Sequence, residues 1–501
     1  MNILVFGQSF LGKIGGVQQS YAWLYEYLCR RGHSITHVTH LPVGEAGLYY
    51  RFPPQVEIRS LNILFDQDLP QKIRNLTREI DPDVVLVVNS GIRGFHFCSA
   101  LRSTPYPVIL SERGAPDYCI GELWKNRRLH ELAVWCADFI HQLMPSYPAS
   151  LPWELRRRAR VISSLTMPAT RFADPAKPAA DGKYRIIFTG RFSPEKRVTL
   201  LVEAFGQLAP LFPDWQLRLT GAGPELDAIH KMINALSLAG RVELPGFVES
   251  PDALARHYAE SHIYCLPSSF EGCPLALRDA MAHNLPVVGF ASCPGTNEII
   301  LPGHNGLLAA EDSPVSLAKA LAQLMASNEL RARLAKNGQE DVKKYDPEKV
   351  HAAWESLLEE GANWKGRKKL LRTLRFLRTP FKSLFTALQT WICEFTSLKH
   401  ETVTTSIFNW FSTARGNKMD MALLDFFDSH FHYPANHEFT LAYKSRRLPM
   451  LDKPVGTSSL SHRAVARNLA IIAARHGISL SNLYGPNERV EETDESQKNN
   501  D

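Results

Sequence analysis

Ser268-Ser269-Phe270-Glu271-Gly272-Cys273-Pro274-Leu275-Ala276-Leu277-Arg278-Asp279-Ala280-Met281-Ala282 places two carboxylates eight positions apart across a strand-to-helix junction. Ile263-Tyr264-Cys265-Leu266, just before it, reads as a short buried strand. Pro274 is suited to open a helix that runs on through Asp279. Glu271 in the loop and Asp279 on the helix are then expected to face the crevice at the strand's carboxyl end. Backbone N–H groups left free at the helix start favour an anionic ligand there. A phosphate joined to a polyhydroxylated group suits such a place.

Outward from this junction the chain alternates. Within residues 1–170, short apolar runs at 3–6, 34–39, 83–88, 108–110 and 139–143 read as strands, with helices at 17–31 and 71–80. Residues 171–183 form a polar, Pro/Ala-rich break expected to be a linker. The alternation restarts over 184–345, with strands at 185–189, 216–220, 242–244 and 287–290 and helices at 200–208, 225–235, 316–325 and 330–337. Short continuous apolar runs between amphipathic helices are what a parallel sheet covered on both faces requires. The expected fold is α/β: two facing Rossmann-like, doubly wound domains with a ligand cleft between them, followed by a mainly helical C-terminal extension.

Thr189-Gly190-Arg191-Phe192-Ser193-Pro194-Glu195-Lys196-Arg197 follows the second half's first strand. Taken alone it is either a solvated basic loop or a phosphate site. Together with the junction around Glu271 it resembles the retaining, nucleotide-sugar-dependent glycosyltransferases of family four, which have the GT-B fold. That family holds the donor sugar and ribose with two glutamates separated by seven residues. Glu271 matches the first, Asp279 stands one methylene short at the second, and Arg278 replaces the usual leucine before it.

The resemblance implies a role for each matching residue. Arg191 and Lys196 neutralise the donor pyrophosphate, Glu271 binds sugar hydroxyls and Asp279 the ribose diol. Gly15-Gly16 brings backbone N–H groups to the distal phosphate, for which a side chain would leave no room. Gly221 and Gly223, with Phe247 and Val248, approach the nucleotide and its base. Gly272, Cys273, Pro274 and Leu275 complete the donor site. Glu298, in Pro294-Gly295-Thr296-Asn297-Glu298, keeps the acid of a family loop that usually ends in Pro-Glu. Ser111-Glu112-Arg113-Gly114-Ala115-Pro116 resembles a Ser-Glu-Arg-Asn-x-Pro segment of the branch that builds bacterial surface polysaccharides. Glu112 and Arg113 are accordingly expected to project into the cleft on the acceptor side, with Asn89 beside them, unless they merely pair to fix a loop. Ile162-Ser163-Ser164-Leu165 stands where the family commonly has Pro-Asn-Gly-Val. The implied chemistry is front-face transfer with retention, without a metal or other cofactor, from a nucleotide sugar to a glycan or lipid-linked acceptor. Two rivals stand beside it: a catalytically weak or inactive nucleotide-sugar-binding regulatory subunit, suggested by Asp279 and Arg278, and a sugar-nucleotide epimerase.

Composition narrows the field. A net charge of +6 over 501 residues does not argue for nucleic-acid binding. The eight cysteines, at 29, 98, 119, 136, 265, 273, 293 and 393, form no C-x-x-C pair, which disfavours zinc and disulfide frames and fits a reduced, cytoplasmic setting. Met1-Asn2-Ile3-Leu4-Val5-Phe6-Gly7 does not read as a secretory signal. Gly7-Gln8-Ser9-Phe10-Leu11-Gly12-Lys13-Ile14 misses a nucleotide-triphosphate loop at Ile14, where magnesium chemistry needs a hydroxyl.

Residues 346–362 resemble the family's closing helix. Beyond it, 363–414 is basic and amphipathic, with Leu370, Leu374 and Leu377 on one helical face and Phe381 to Phe395 extending the pattern. The stretch 365–395 either lies in a membrane headgroup layer or packs on the catalytic domains. Residues 415–487 read as a small extension of unassigned fold, in which His430, His432 and His437 lack the partners of a metal site. Residues 488–501 read as a disordered tail.

Overall fold

The computed structural model describes residues 1–7, 16–39, 52–61, 69–88, 92–102, 104–116 and 127–365. Gly15, Asn89, the basic stretch from residue 366 on, the 415–487 extension and the 488–501 tail lie outside the described residues.

The first lobe is a seven-stranded sheet of β1 (Asn2–Phe6), β2 (Ser34–Thr39), β3 (Val56–Ser60), β4 (Val84–Val87), β5 (Val108–Ser111), β6 (Phe139–Gln142) and β7 (Ala159–Val161), in the order β3-β2-β1-β4-β5-β6-β7. Its helices are α1 (Gly16–Arg30), α2 (Leu69–Ile80), α3 (Ile92–Leu101) and α4 (Arg127–Cys136). The second lobe is a six-stranded sheet of β8 (Tyr184–Thr189), β9 (Trp215–Thr220), β10 (Val242–Gly246), β11 (Ile263–Cys265), β12 (Val287–Phe290) and β13 (Gly306–Ala309), in the order β10-β9-β8-β11-β12-β13. Its helices are α5 (Val198–Leu208), α6 (Leu226–Ala235), α7 (Pro251–Ala259), α8 (Leu275–Ala282), α9 (Thr296–Ile299), α10 (Pro314–Ala326) and α11 (Asn328–Val342). The paired strands run parallel throughout. Strand order reverses between β1 and β4 and again between β8 and β11, and the crevice beyond such a reversal is where an open α/β sheet takes its ligand.

The period of two along the strands sorts the first lobe's core. Leu4, Phe6, Val85 and Val87 pack on one face with Phe97, Leu101, Ala133 and Val134, while Ile3, Val5, Val84 and Leu86 pack on the other with Tyr25, Leu28 and Trp354. Trp354 belongs to α12 (Pro347–Ala362), so the expected closing helix does return to the first lobe. Glu355 of α12 fixes it there, accepting hydrogen bonds from Tyr27 Oη at 3.1 Å and Arg31 Nε at 3.2 Å and pairing with His33 Nε2 at 2.8 Å.

The central strands and most helices stand within a few residues of their expected bounds. The elements β3, β7, β13, α3, α4, α7 and α9 were not anticipated. Edge strands such as β3 and three-residue β7 carry weak patterns because only part of their surface is buried. The start of α7 was legible, since Ser250 accepts from Ala253 N and Pro251 takes the first turn. Residues 171–183 do not hang free: Ala173 N donates to His283 O, and Arg331 Nε reaches Pro175 O at 2.6 Å. Arg331 itself is fully buried, its guanidinium over the rings of Tyr184 and Trp215.

Loop packing at the strand ends requires glycine at one position above all. At Gly221, φ is +154° and a Cβ would lie 1.9 Å from Gly190 O. Gly221→Ala should therefore lower stability by about 2 kcal/mol or more, whereas Gly240→Ala, with φ +73° but nothing within 4 Å, should cost only about 1 kcal/mol. Thermal unfolding of the two variants checks this.

Candidate active site

Two loops of the second lobe meet at the carboxyl ends of β8 and β11. After β8, the turn Pro194–Lys196 brings Lys196 Nζ to 2.5 Å from Glu271 Oε1. Ser268 Oγ donates to the same oxygen at 2.6 Å. Oε2 of Glu271 accepts nothing from the described residues, which leaves one carboxylate oxygen for a ligand in a residue that is only 8% exposed. The pair is thus partly desolvated, where a charge-assisted hydrogen bond is strongest and an unpaired charge most costly.

Sequence reasoning missed the residue that holds these loops together. Arg197 adopts φ +48°, and its Nε and Nη2 donate to Pro267 O at 2.9 Å and Ser268 O at 3.1 Å. Its guanidinium lies 4.6 Å from the Phe290 ring centroid. Ser269 N adds a bond to Glu195 O at 2.9 Å. The only sequence signal was adjacency to Lys196. Arg191 lies exposed on the same loop, and its side chain has no partner among the described residues. Lys196 and Glu271 are therefore brought together as expected, while Arg191 stands nearby in sequence with its guanidinium uncommitted.

The glycines beside this pair are explained by packing. A Cβ at Gly223 would lie 2.3 Å from Phe192 O, so Gly221 and Gly223 let the post-β9 loop nest on the post-β8 loop. Phe247 follows β10 and is 55% exposed, with Val248 half-buried behind it. Pro274 caps α8, Leu275 opens it and Cys273 precedes them half-buried.

The other lobe closes against this loop. A Cβ on Gly16, at the start of α1, would meet Leu275 Cδ1 at 3.0 Å, so the beginnings of α1 and α8 face each other. A Cβ on Gly272 would meet Arg113 O at 2.6 Å. Tyr147 Oη donates to Gly272 O at 2.8 Å, and Ser146 donates through both N and Oγ to the Glu298 carboxylate. Glu298 thus ties the lobes together.

Asp279 and Arg278 part company on α8. The Asp279 carboxylate takes no hydrogen bond from the described residues, and burial pushes its pKa up to about 6 although neighbouring Arg278 pulls the other way. Arg278 is fully buried, donates through Nη1 to Ser164 O at 2.5 Å and lies 4.3 Å from the Tyr345 ring centroid. The arginine in the leucine's place is an interlobe fastening, which removes one motive for the inactive-subunit alternative.

The expected placement of Glu112 is corrected. Its carboxylate is buried, 2.5 Å from His130 Nε2, with Gln142 Nε2 donating at 2.9 Å. Burial pushes this carboxyl up, but the His130 and Gln142 contacts outweigh it and hold it below the usual range. A buried carboxylate must be paired, and His130 on α4 supplies the partner that the sequence did not reveal. Arg113 turns instead toward the Tyr21 ring, at 5.2 Å, and toward Ser164.

Among the described residues no cluster of His, Cys, Asp or Glu could hold a metal ion, and no helix is long and apolar enough to cross a membrane.

A family model for glycosyl transferases group 1 matches residues 170–341. The lipopolysaccharide core biosynthesis glycosyltransferase LpsE of Rhizobium meliloti is 31% identical over 358 residues, which cover 69% of this chain and 96% of that one. The chain belongs to the group 1 glycosyltransferases. An uncharacterized glycosyltransferase of Haemophilus influenzae is 25% identical over 70% of this chain and 97% of its own. The fold is GT-B: HepE from Anabaena, solved with UDP and glucose, superposes with a TM-score of 0.57 at 18% identity, over 71% of this chain and 99% of that one. The lipopolysaccharide outer core galactosyltransferase WaaB gives 0.58 at 16% identity, over 72% and 99%.

An acid whose folded pKa lies above its unfolded value of ~3.9 favours the folded state below that value and loses the benefit as pH rises through the folded pKa. For Asp279 the window runs from about 4 to about 6. Asp279→Asn should accordingly be more stable than wild type at pH 7.5, by on the order of 2 kcal/mol, and equal to it at pH 4. Chemical denaturation at the two pH values measures the difference.

Proposed function

We propose that this glycosyltransferase moves a sugar, a hexose or close relative, from a nucleotide-sugar donor to a glycan or lipid-linked acceptor. The transfer retains anomeric configuration and serves cell-surface polysaccharide or lipopolysaccharide synthesis. The observation that carries the reading is the contact of Lys196 with Glu271 at the carboxyl ends of β8 and β11. Relatives support the setting: LpsE acts in lipopolysaccharide core biosynthesis, and a 22%-identical Campylobacter jejuni relative is a transferase whose acceptor is a diphosphoundecaprenol-linked saccharide.

In this reading Lys196 and Arg191 stabilise negative charge growing on the departing diphosphate, together with the N–H groups at the start of α8. The donor's anionic phosphate competes for Lys196, and Glu271 is then free to accept from sugar hydroxyls. Asp279, as a carboxylate, accepts from the ribose diol, while the Phe247 ring offers an exposed face near the base. The departing phosphate takes the acceptor's proton, so no metal is needed. Gly16 faces the distal phosphate, and the roles expected of Gly15 in the donor site and of Asn89 on the acceptor side fall on residues outside the described ones. The catalytic lobes work in the cytoplasm, with residues 365–395 resting on the inner face of the membrane and no nucleic acid involved.

Incubation of the purified chain with a panel of nucleotide sugars and acceptor glycans should give transfer. Lys196→Ala and Glu271→Ala should each lower kcat by about 100-fold or more. A product anomer opposite to the donor's, read by NMR coupling constants, would defeat the retention claim, and unchanged kcat in both variants would defeat the site.

A further inference from the structure

Nine buried side-chain polar atoms of the described residues lack a hydrogen-bond partner, and four of them belong to three residues that meet at one place. These atoms are Arg113 Nε, Arg278 Nε, Arg278 Nη2 and Thr166 Oγ1. Arg278 Nη1 donates to Ser164 O, Arg113 Nη2 reaches Ser164 Oγ at 3.5 Å, and Thr166 lies two residues further along, its N–H bonded to Tyr345 O. This is where the chain crosses from the first lobe to the second and, at Tyr345, starts back.

Both guanidiniums are held over tyrosine rings, Arg113 by Tyr21 and Arg278 by Tyr345. A ring face orients a cation without neutralising it. No described carboxylate lies within ion-pairing distance of either arginine, although Asp279 feels the charge of Arg278 beside it, and Glu112, next to Arg113 in sequence, is committed to His130 and Gln142. Two like charges sharing one serine in a low-dielectric interior repel each other, an arrangement stabilised by a negative group close by. Arg278, fully enclosed, cannot touch such a group. Arg113 can, because it is half-buried and its Nη1 is not enclosed, although the guanidinium also touches the Tyr21 hydroxyl. Its backbone packs on Gly272, which places it beside the loop that carries Glu271. Ser164 and Arg278 are also two of the places where the sequence departs from the family pattern, and they bond to each other.

We infer that Arg113, backed by Arg278, forms an anion subsite for the acceptor, taking a phosphate or carboxylate group that the acceptor carries. The inference rests on the proposed donor site at Lys196 and Glu271. The outer edge of the Arg113 guanidinium binds the anion, while Tyr21 and Ser164 hold its plane. Arg278 is a positioning residue that deepens the positive potential from behind.

Inorganic phosphate and acetate, titrated into the full chain by calorimetry, are the probes. Two phosphate equivalents are expected in wild type, one at Lys196 and one at Arg113. Lys196→Ala should leave the Arg113 equivalent, and Arg113→Gln should weaken that equivalent at least 10-fold while sparing the other. Arg113→Lys, which keeps the charge without the fork, should retain part of the binding and guards against misreading a folding defect. Saturation with a nucleotide sugar should displace only the phosphate at Lys196. Acetate binding lost in Arg113→Gln would identify the subsite as open to carboxylates, and phosphate binding alone would restrict it to phosphates. A single equivalent insensitive to Arg113→Gln, or displacement of both by the nucleotide sugar, would overturn the inference, the latter by assigning Arg113 to the donor's diphosphate. Failure of the donor reading looks different: Lys196→Ala would keep both equivalents and full nucleotide-sugar affinity.

Discussion

A carboxylate at the end of a parallel strand, nearly closed off from water, has to be paired, and the pairing of Glu271 with Lys196 organises the second lobe around it. The pair joins the loops after β8 and β11, the two strands that flank the reversal of strand order. Arg197 locks the same loops through backbone carbonyls, and glycines at 221 and 223 let a third loop nest against them. Three separate strand ends are thereby joined in one rim. Preorganisation of that kind is what a site needs if charge is to be stabilised without rearrangement during reaction.

The rim does not stand alone, because the first lobe touches it directly. Tyr147 donates to Gly272 O, Ser146 to Glu298, and the backbone of Arg113 fills the space where Gly272 has no side chain. Apolar residues of the first lobe, Ala115, Leu143, Met144 and Tyr147, join the second lobe's core cluster. The lobes are therefore coupled at the loop that carries Glu271 as well as at their crossings. At the crossings, Thr166 N bonds to Tyr345 O, and Arg278 reaches from α8 to Ser164.

Much of the architecture was readable before the fold was known. Buried central strands announce themselves as short apolar runs, so β1, β2, β4, β5, β8, β9 and β12 stand close to their expected places. Edge strands β3 and β7 and helices α3 and α4 escaped notice, their patterns being too short or too mixed to separate from loops. Within the site, the meeting of Lys196 and Glu271 was anticipated from their positions after parallel strands. Glu112, in the loop after β5, was misplaced because its partner His130 lies 18 residues away on α4. Arg278 read as a weakness in the motif because the carbonyl that receives it, on Ser164, is 114 residues distant in sequence.

What the amino-acid sequence determined by itself was local and periodic: apolar runs that become buried parallel strands, a proline that opens α8, and a basic loop and an acidic loop that each follow a strand. These follow from short-range sterics and burial, which a linear pattern carries. The tertiary structure alone decided which charges would be paired and which left open. Glu112 found a histidine, Arg278 a backbone carbonyl and a tyrosine face, while among the described residues Arg113 and one oxygen of Glu271 kept an unpaired edge. The reason is that pairing depends on distances of a few ångströms between residues far apart in the chain, and no spacing along the sequence encodes them.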